Sequence, residues 1–230
     1  DVLAVAGDAA VRHLVVPYYR EAGPPVVCWD VHGSYDLPAD RAVHVREELP
    51  LRRTLDTLAR YYPDLKSVLV LSDGSTTERQ RRPHLDTLFA EAGLRPMYAS
   101  AGTLTEWETQ FAAGGDNFDL IYLSGHDHLK DWSDTATRDY VRQHLRRPVI
   151  TNDVRLLSCA VLGIARPPAA RHERIVGVVR RLLEGAAPEA VTPESGAEAE
   201  IWINQDLAGQ IDFRPSEALL TNSRPVEAMP

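Results

Sequence analysis

The sequence predicts an α/β protein built on mainly parallel sheets, and three observations lead to that prediction. Short apolar runs alternate with stretches of helical spacing through most of the 230 residues, which is typical of successive βαβ units. Many of the apolar runs end in Gly, Asp, Ser or Asn, which favour turns. Hydrophobic residues make up 44% of the chain and charged residues 25%, a balance typical of globular proteins. The length fits two lobes of roughly 100 residues each or one larger domain.

Each strand is predicted where a short apolar run is bounded by turn residues. In chain order these runs are 2–6, 26–29, 43–45, 67–71, 97–99, 120–123, 149–150 and 201–203. The segment 30–40 between the second and third runs is rich in Gly, Pro, Asp and Ser. We expect it to be a long loop, and loops of that length are often functional.

Each helix is predicted where apolar side chains recur every three or four residues. Leu51, Leu55 and Leu58 form one such face, which stops before Pro63, because proline cannot continue a helix. The other helical stretches are 11–18, 104–111, 135–145 and 170–183. A further helix is opened by 72–77 and has its apolar face at 85–92. The stretch 185–198, rich in Ala, Pro, Glu and Gly, is predicted to be a surface connection or a hinge crossing.

Composition excludes several classes of function. The formal net charge is −8 and the basic residues are scattered, so no positive field attracts nucleic acid. No apolar run approaches the roughly 18 to 20 residues that cross a membrane. Cys28 and Cys159 lie inside apolar runs, where a free thiol usually packs as a small hydrophobe. A nucleophile elbow and a Walker loop are absent, and Gly7 lacks the further glycines of a dinucleotide site, so neither an enzyme nor a cofactor is predicted.

Candidate ligand-binding residues follow the predicted strands, because open parallel sheets bind ligands beyond the carboxyl ends of their strands. They are Gly7, Asp8, Trp29, Asp30, Ser72, Asp73, Ser75, Thr76, Ser124, His126, His128, Asn152 and Asp153. Residues 72–77 combine hydroxyls, N–H groups and a helix N-terminus, which suit an anionic group such as a carboxylate. The alternative is an ordinary helix cap formed by Ser75 or Thr76. Asp8 and Asp30 suit either a ligand amine or a turn.

The most unusual string is Ser124-Gly125-His126-Asp127-His128, which follows a buried strand. It is consistent with hydrogen bonds to a ligand, with a solvated loop, or with a metal site completed by Asp153 or His32. If the Asp-Val-His-Gly run at 30–33 contributed to the same metal site, the arrangement would support a binuclear hydrolase. Trp29 and Trp132 are placed either to stack on a ligand or to pack, whereas Trp107 and Trp202 are predicted in the core.

Several segments resemble the ABC-transporter substrate-binding proteins that include tryptophan-binding lipoproteins, and the related sensor domains of membrane-bound signalling proteins. The matching segments are Leu51-Arg52-Arg53-Thr54-Leu55, 67–73, the run 148–153 continuing through 160–165 into the helix that ends at 182–188, and Ile201-Trp202-Ile203-Asn204. They extend over most of the chain. All of them are features of a fold, and none is catalytic.

The resemblance implies a two-lobed type I periplasmic-binding-protein-like fold with hinge crossovers. One lobe is expected from 1–49 with 165–193, and the other from 50–164 with 198–230. The implied function is that of an extracytoplasmic receptor, which closes its lobes over a small polar solute, an amino acid or related carboxylate, and delivers it to an ABC permease. The alternative is a sensor domain. Residues 1–10 align inside the family's first lobe, so further N-terminal residues with a secretion signal or membrane anchor are expected.

Overall fold

The computed structural model describes residues 1–45, 50–193 and 199–226. The chain divides into two compact units. Unit 1 consists of Asp1–Glu48, Arg79–Arg81 and Arg166–Glu198, and unit 2 consists of Leu49–Glu78, Arg82–Ala165 and Ala199–Pro230. Each unit has its own mainly parallel sheet, which confirms the predicted α/β class.

Unit 1 is built on a sheet of three parallel strands, in the order β1 (Leu3–Ala6), β2 (Val26–Trp29) and β3 (Ala42–Val45). The helical segment after β1 comprises α1 (Gly7–Ala10), a π-helical turn (Val11–Val15) and α2 (Val16–Tyr18). It starts at Gly7, four residues earlier than predicted, and the φ of 77° at Gly7 is a conformation that glycine adopts without strain.

Both faces of the unit 1 sheet are buried, because side chains alternate along β2. Val26 and Cys28 pack with Val11 and Val15, whereas Val27 packs with α7 (Pro168–Leu183). The predicted connection after α7 contains a 3₁₀ turn at Pro188–Ala190, and residues 194–198 of it lie outside the described residues. Burial raises the pKa of the Cys28 thiol to about 11, which agrees with its predicted packing role.

Unit 2 contains a seven-stranded sheet whose order is β10-β9-β8-β7-β6-β4-β5. Its strands are β4 (Ser67–Ser72), β5 (Arg95–Ser100), β6 (Leu120–Leu123), β7 (Val149–Thr151), β8 (Leu162–Ala165), β9 (Glu200–Ile203) and β10 (Ser223–Pro225). Neighbours pair in parallel except β8 with β9, which are antiparallel. The loops that follow β4 to β8 therefore leave the sheet at one edge, called here the carboxyl edge of unit 2.

The unit 2 sheet is covered by helices whose apolar faces form one continuous core with it. These helices are α3 (Leu51–Ala59), α4 (Thr76–Glu91), α5 (Leu104–Asn117), α6 (Asp134–His144), α8 (Gln205–Gln210) and α9 (Glu217–Thr221), with a 3₁₀ helix at Val154–Cys159. Trp107 and Trp202 are buried, as predicted. Within the described ranges, no helix combines the length and the apolar character needed to cross a membrane.

Candidate functional site

Asp73 joins two of the loops at the carboxyl edge of unit 2. Its Oδ2 accepts hydrogen bonds from the backbone N–H and the ring Nδ1 of His128, both at 3.1 Å, and its Oδ1 accepts one from Ser75 N–H at 2.9 Å. Its backbone N–H donates to the Gly125 carbonyl. Burial tends to raise the pKa of Asp73, but these hydrogen bonds outweigh burial and lower the pKa below its ordinary value. Asp73 is therefore an ionised clamp between loops.

The start of α4 is an ordinary N-cap, the alternative considered above for residues 72–77. Ser75 Oγ accepts a hydrogen bond from Glu78 N–H at 3.2 Å, and the Oγ of the buried Ser72 accepts one from Gly74 N–H at 3.4 Å. Thr76, the first residue of α4, is half-buried. Serine at an N-cap satisfies one of the orphan donors of the first turn, so these side chains are used within the loop.

Glu78 brings a second carboxylate to this helix end, and it is absent from the predicted site. Its side chain is buried and accepts a hydrogen bond from the hydroxyl of the buried Ser124. Gly125 permits this approach, since a Cβ there would lie 2.9 Å from Glu78 Oε1. Asp73 and Glu78 thus place two carboxylates in the loop and first turn at this end of α4. The signature Ser-x-x-Glu of a capping box was present in the sequence at Ser75 and Glu78.

The two histidines of the loop after β6 have different surroundings. His126 is 6% exposed, and its ring centroid lies 4.5 Å from that of Trp132. Within the described ranges, its buried Nδ1 has no hydrogen-bond partner. Burial, followed by the nearby Arg155, lowers the pKa of His126 below 6.5. The side chain of His128, in contrast, is 68% exposed. Trp132 also packs edge-on against Trp107, which supports its packing interpretation.

Arg155, on the 3₁₀ helix after β7, is a charged group that sequence reasoning missed. Its Nε and one terminal nitrogen donate to Asp153 at 3.0 and 2.6 Å. Both of its terminal nitrogens also donate to Asp127. Burial tends to raise the pKa of Asp153, but Arg155 outweighs that effect and lowers it. The cluster of Asp127, Asp153 and Arg155 thus carries a net charge of −1 at neutral pH.

Asn152 holds the end of β7 to its neighbours and is thus a structural residue in unit 2. Its Nδ2 donates to Thr54 Oγ1 at 2.9 Å and to the Ile164 carbonyl at 2.6 Å. Its Oδ1 is buried without a hydrogen-bond partner in the described part of the chain. Since both amide hydrogens are used by α3 and β8, the side chain is fixed in orientation.

The metal site considered in the sequence analysis has no geometric support. Among the residues that the structure describes, no three His, Cys, Asp or Glu side chains lie close enough together to hold a metal ion. His126 packs on Trp132 whereas His128 binds Asp73. Nothing in this arrangement favours the binuclear hydrolase.

In unit 1, Asp8 is fully buried and organises the loop after β2. Its two carboxylate oxygens accept hydrogen bonds from the N–H groups of His32 and Gly33 at 3.1 and 2.7 Å. Tyr35 donates its hydroxyl to the Asp8 carbonyl at 3.3 Å, and burial, with the charge of Asp8, raises the pKa of Tyr35 to about 12. These contacts favour the turn interpretation of Asp8.

Trp29 ends β2 and Asp30 follows it, and the two side chains have different environments. Trp29 is half-buried and packs against the core on the α7 side of the unit 1 sheet. Asp30 is exposed, has a φ of 54°, and its Oδ1 lies 3.3 Å from His32 Nε2. A positive φ is uncommon outside glycine and is most often found for Asn and Asp in turns. The backbone here therefore turns sharply at the carboxyl end of the strand.

The fold is that of the ABC-transporter substrate-binding proteins, as the sequence resemblance predicted. No family model matches the chain, and no curated protein matches it. Among solved structures, a conserved domain protein from Vibrio cholerae has 16% identity over 98% of this chain and 78% of its own, with a TM-score of 0.74.

Two further solved structures that this chain resembles are of proteins that bind small molecules or substrates. An ABC domain from Streptococcus pneumoniae in complex with L-Trp has 14% identity over 98% of this chain and 80% of its own, with a TM-score of 0.72. The ligand-free, open structure of CD0873, a substrate binding protein with adhesive properties from Clostridium difficile, has 11% identity over 98% and 78%, with a TM-score of 0.64. At these identities the likeness defines the fold.

Proposed function

We propose that this chain is an extracytoplasmic solute-binding protein of an ABC-type transporter, and that its solute is an amino acid or a related small carboxylate. The observation that carries the proposal is the set of polar side chains clamped together at the carboxyl edge of unit 2. Ligands of open parallel sheets bind at that edge. The fold it shares with an ABC domain bound to L-Trp supports the same class of function.

The charges at this edge suit a solute that carries an ammonium group. Asp73 and Asp153 have lowered pKa values and are ionised at neutral pH, and Glu78 adds a buried carboxylate. A solute ammonium gains from such an environment. We infer that the ammonium approaches the loops after β4 and β6, with the exposed ring of His128 as a further contact.

At this edge a solute carboxylate can approach the guanidinium of Arg155. Arginine has five N–H donors, and four contacts from Arg155 already go to Asp127 and Asp153. A solute carboxylate must therefore use the remaining donor or displace Asp127, whose side chain is 55% exposed. We infer that Asp127 is the group that yields, because Asp153 is only 18% exposed.

The test is a thermal-unfolding screen of the purified chain against the standard amino acids and simple carboxylates. A solute at 100 times its dissociation constant adds about 2.7 kcal/mol to the free energy of unfolding, so the melting temperature should rise with concentration. A variant with Asp73→Asn and Arg155→Gln is the control and should lose that rise. If no member of the panel raises the melting temperature, or if the control responds equally, the proposal fails.

Hinge closure on the solute is a prediction of the sequence resemblance. Small-angle scattering with and without the solute tests it, because closure reduces the radius of gyration.

A further inference from the structure

His126 is the buried histidine of the loop after β6, and its ring is held in a place that suits an uncharged imidazole. The ring centroid lies 4.5 Å from that of Trp132, at an interplanar angle of 43°. In the part of the chain that the structure describes, its buried Nδ1 has no hydrogen-bond partner. A neutral imidazole has one N–H donor and one bare nitrogen, so the neutral ring can keep its bare nitrogen at this buried position.

The charges that act on this ring come from three parts of unit 2. Burial and the guanidinium of Arg155 oppose a charged ring, and together they outweigh the nearby carboxylates, so the pKa of His126 lies below 6.5. The ring is therefore largely neutral at pH 7. The carboxylates are those of Asp153 before the 3₁₀ helix, Asp127 in the same loop and Asp134 at the start of α6.

The three carboxylates are already engaged with other donors. Asp127 and Asp153 accept hydrogen bonds from Arg155. Asp134 accepts one from Trp132 Nε1 at 2.7 Å. A protonated imidazole is a donor at both nitrogens, so its Nδ1–H would be a buried donor without an acceptor, which is costly. The charged ring gains an acceptor by leaving its place and reaching water.

The loop is anchored on either side of this ring, which confines any movement. Ser124 and Leu129 are buried, and Leu129 donates its N–H to the His126 carbonyl at 3.1 Å. Between these anchors, His128 contacts the buried side chain of Asp73. Displacement of the His126 ring therefore affects this short segment and its contact with Asp73 first.

From the buried ring, its unpartnered Nδ1 and the engaged carboxylates around it, we propose that His126 is an acid-sensitive latch on the loop after β6. The loop is closed while the ring is neutral. Protonation releases the ring from Trp132 and opens the segment between Ser124 and Leu129. This opening is a property of the free chain. Its consequence rests on the proposed function: the open segment no longer holds the Asp73–His128 contact at the carboxyl edge, so acid weakens solute binding.

The test is amide hydrogen exchange of the isotope-labelled full chain, measured by NMR from about pH 8 to about pH 5, a range that spans the ordinary pKa of histidine. Protection of an amide measures the equilibrium of the opening that exposes it. The N–H groups of Asp73 and Leu129 report on the loop, because both donate to its carbonyls. Their protection should fall below about pH 6.5 by up to about tenfold per pH unit, because the opened ring binds the proton first. The N–H of Ile121 in β6 should stay much better protected.

Two variants assign the fall in protection to His126. His126→Phe keeps a ring against Trp132 but cannot be protonated, so protection of the loop should no longer depend on pH in this range. The exposed His84→Phe is the matched control and should behave as the parent chain. His128 does not explain a fall, because a positive charge there strengthens its contact with Asp73.

Three results would overturn the latch, and the parent chain alone supplies two of them. The first is loop protection that stays constant below about pH 6.5. The second is loop protection equal to that of Ile121 at every pH, which would mean that the loop opens only when unit 2 unfolds. The third is a fall that persists in His126→Phe. All three are read without a solute, so they are independent of the thermal-unfolding screen that tests the proposed function.

Discussion

Asp73 and His128 form a double contact that ties the loop after β4 to the loop after β6. One carboxylate oxygen, Asp73 Oδ2, accepts from both the backbone N–H and the ring Nδ1 of His128, each at 3.1 Å. The Asp73 side chain is 2% exposed whereas that of His128 is 68% exposed. The buried partner thereby fixes the position of a solvent-exposed ring.

Replacing Asp73 with Asn should destabilise unit 2 by about 1 to 3 kcal/mol, because an amide presents N–H hydrogens to a site that contains only donors. Denaturant unfolding measures the change. Asp139→Asn is the matched control, since Asp139 is exposed on α6. Equal stability of the two variants would show that the Asp73 contacts are not needed for the fold.

Acid should lower the free energy of unfolding through the carboxylate of Asp73. The folded pKa of Asp73 lies below its ordinary 3.8, so the unfolded chain takes up the proton first as the pH falls. The stabilisation is therefore present above about pH 4 and is lost as the pH falls through the folded pKa. In Asp73→Asn the decline of unfolding free energy below about pH 4 should be smaller than in the parent chain, and an identical decline would contradict the assignment.

The free energy of unfolding should also depend on pH nearer neutrality, because of His126. Its folded pKa lies below 6.5 because the ring is buried, so the unfolded chain again binds the proton first. Stability should be full above about pH 6.5 and decrease below it, until the folded pKa is reached. His126→Phe, which keeps a ring against Trp132, should remove that part of the slope. The exposed His84→Phe should leave it unchanged, and a slope that survives in His126→Phe would refute the prediction.

The fold could be predicted because its signals are local. Runs such as 26–29 and 120–123 match β2 and β6 residue for residue, since a buried parallel strand is apolar throughout. β10 was missed because Ser223–Pro225 is a short, polar edge strand with no apolar run. The antiparallel pairing of β8 with β9 depends on contacts between distant segments, which a pattern along the chain does not contain.

For the candidate site, the sequence indicated which loops follow the strands but not which side chains in those loops contact each other. Strand ends indicated the loops that contain Asp73 and His128, but not that these residues, 55 positions apart, bind each other. Asp8 and Asn152 proved to hold loops and strands, since their side chains are used by neighbouring backbone groups. Arg155 had no signal, because a single arginine after a strand is common and its two carboxylate partners come together only in the fold.

Replacing each of two glycines in helix interiors with alanine should change the free energy of unfolding in opposite directions. In α5, a Cβ at Gly114 would lie 2.6 Å from Leu69 Cδ2 and 3.2 Å from Ile121 Cδ1, so overpacking should cost about 1 to 3 kcal/mol. In α7, a Cβ at Gly177 would meet nothing within 4 Å, so Gly177→Ala should stabilise by up to about 1 kcal/mol through helix propensity. Denaturant unfolding measures both. Stabilisation by Gly114→Ala would show that α5 does not pack closely on β4 and β6.

Asp127 and Arg155 should affect solute binding in opposite directions. Asp127→Asn removes the charge of the more exposed of the two carboxylates on Arg155, so the guanidinium becomes more available to a solute carboxylate and affinity should rise, by roughly threefold or more. Arg155→Gln removes the donor and leaves Asp127 and Asp153 uncompensated, so affinity for a carboxylate should fall about tenfold or more. Calorimetric titration with the amino acid that gives the largest thermal shift measures both constants, with Asp139→Asn as the unchanged control. A change in the same direction in the two variants would mean that Arg155 does not contact the solute carboxylate.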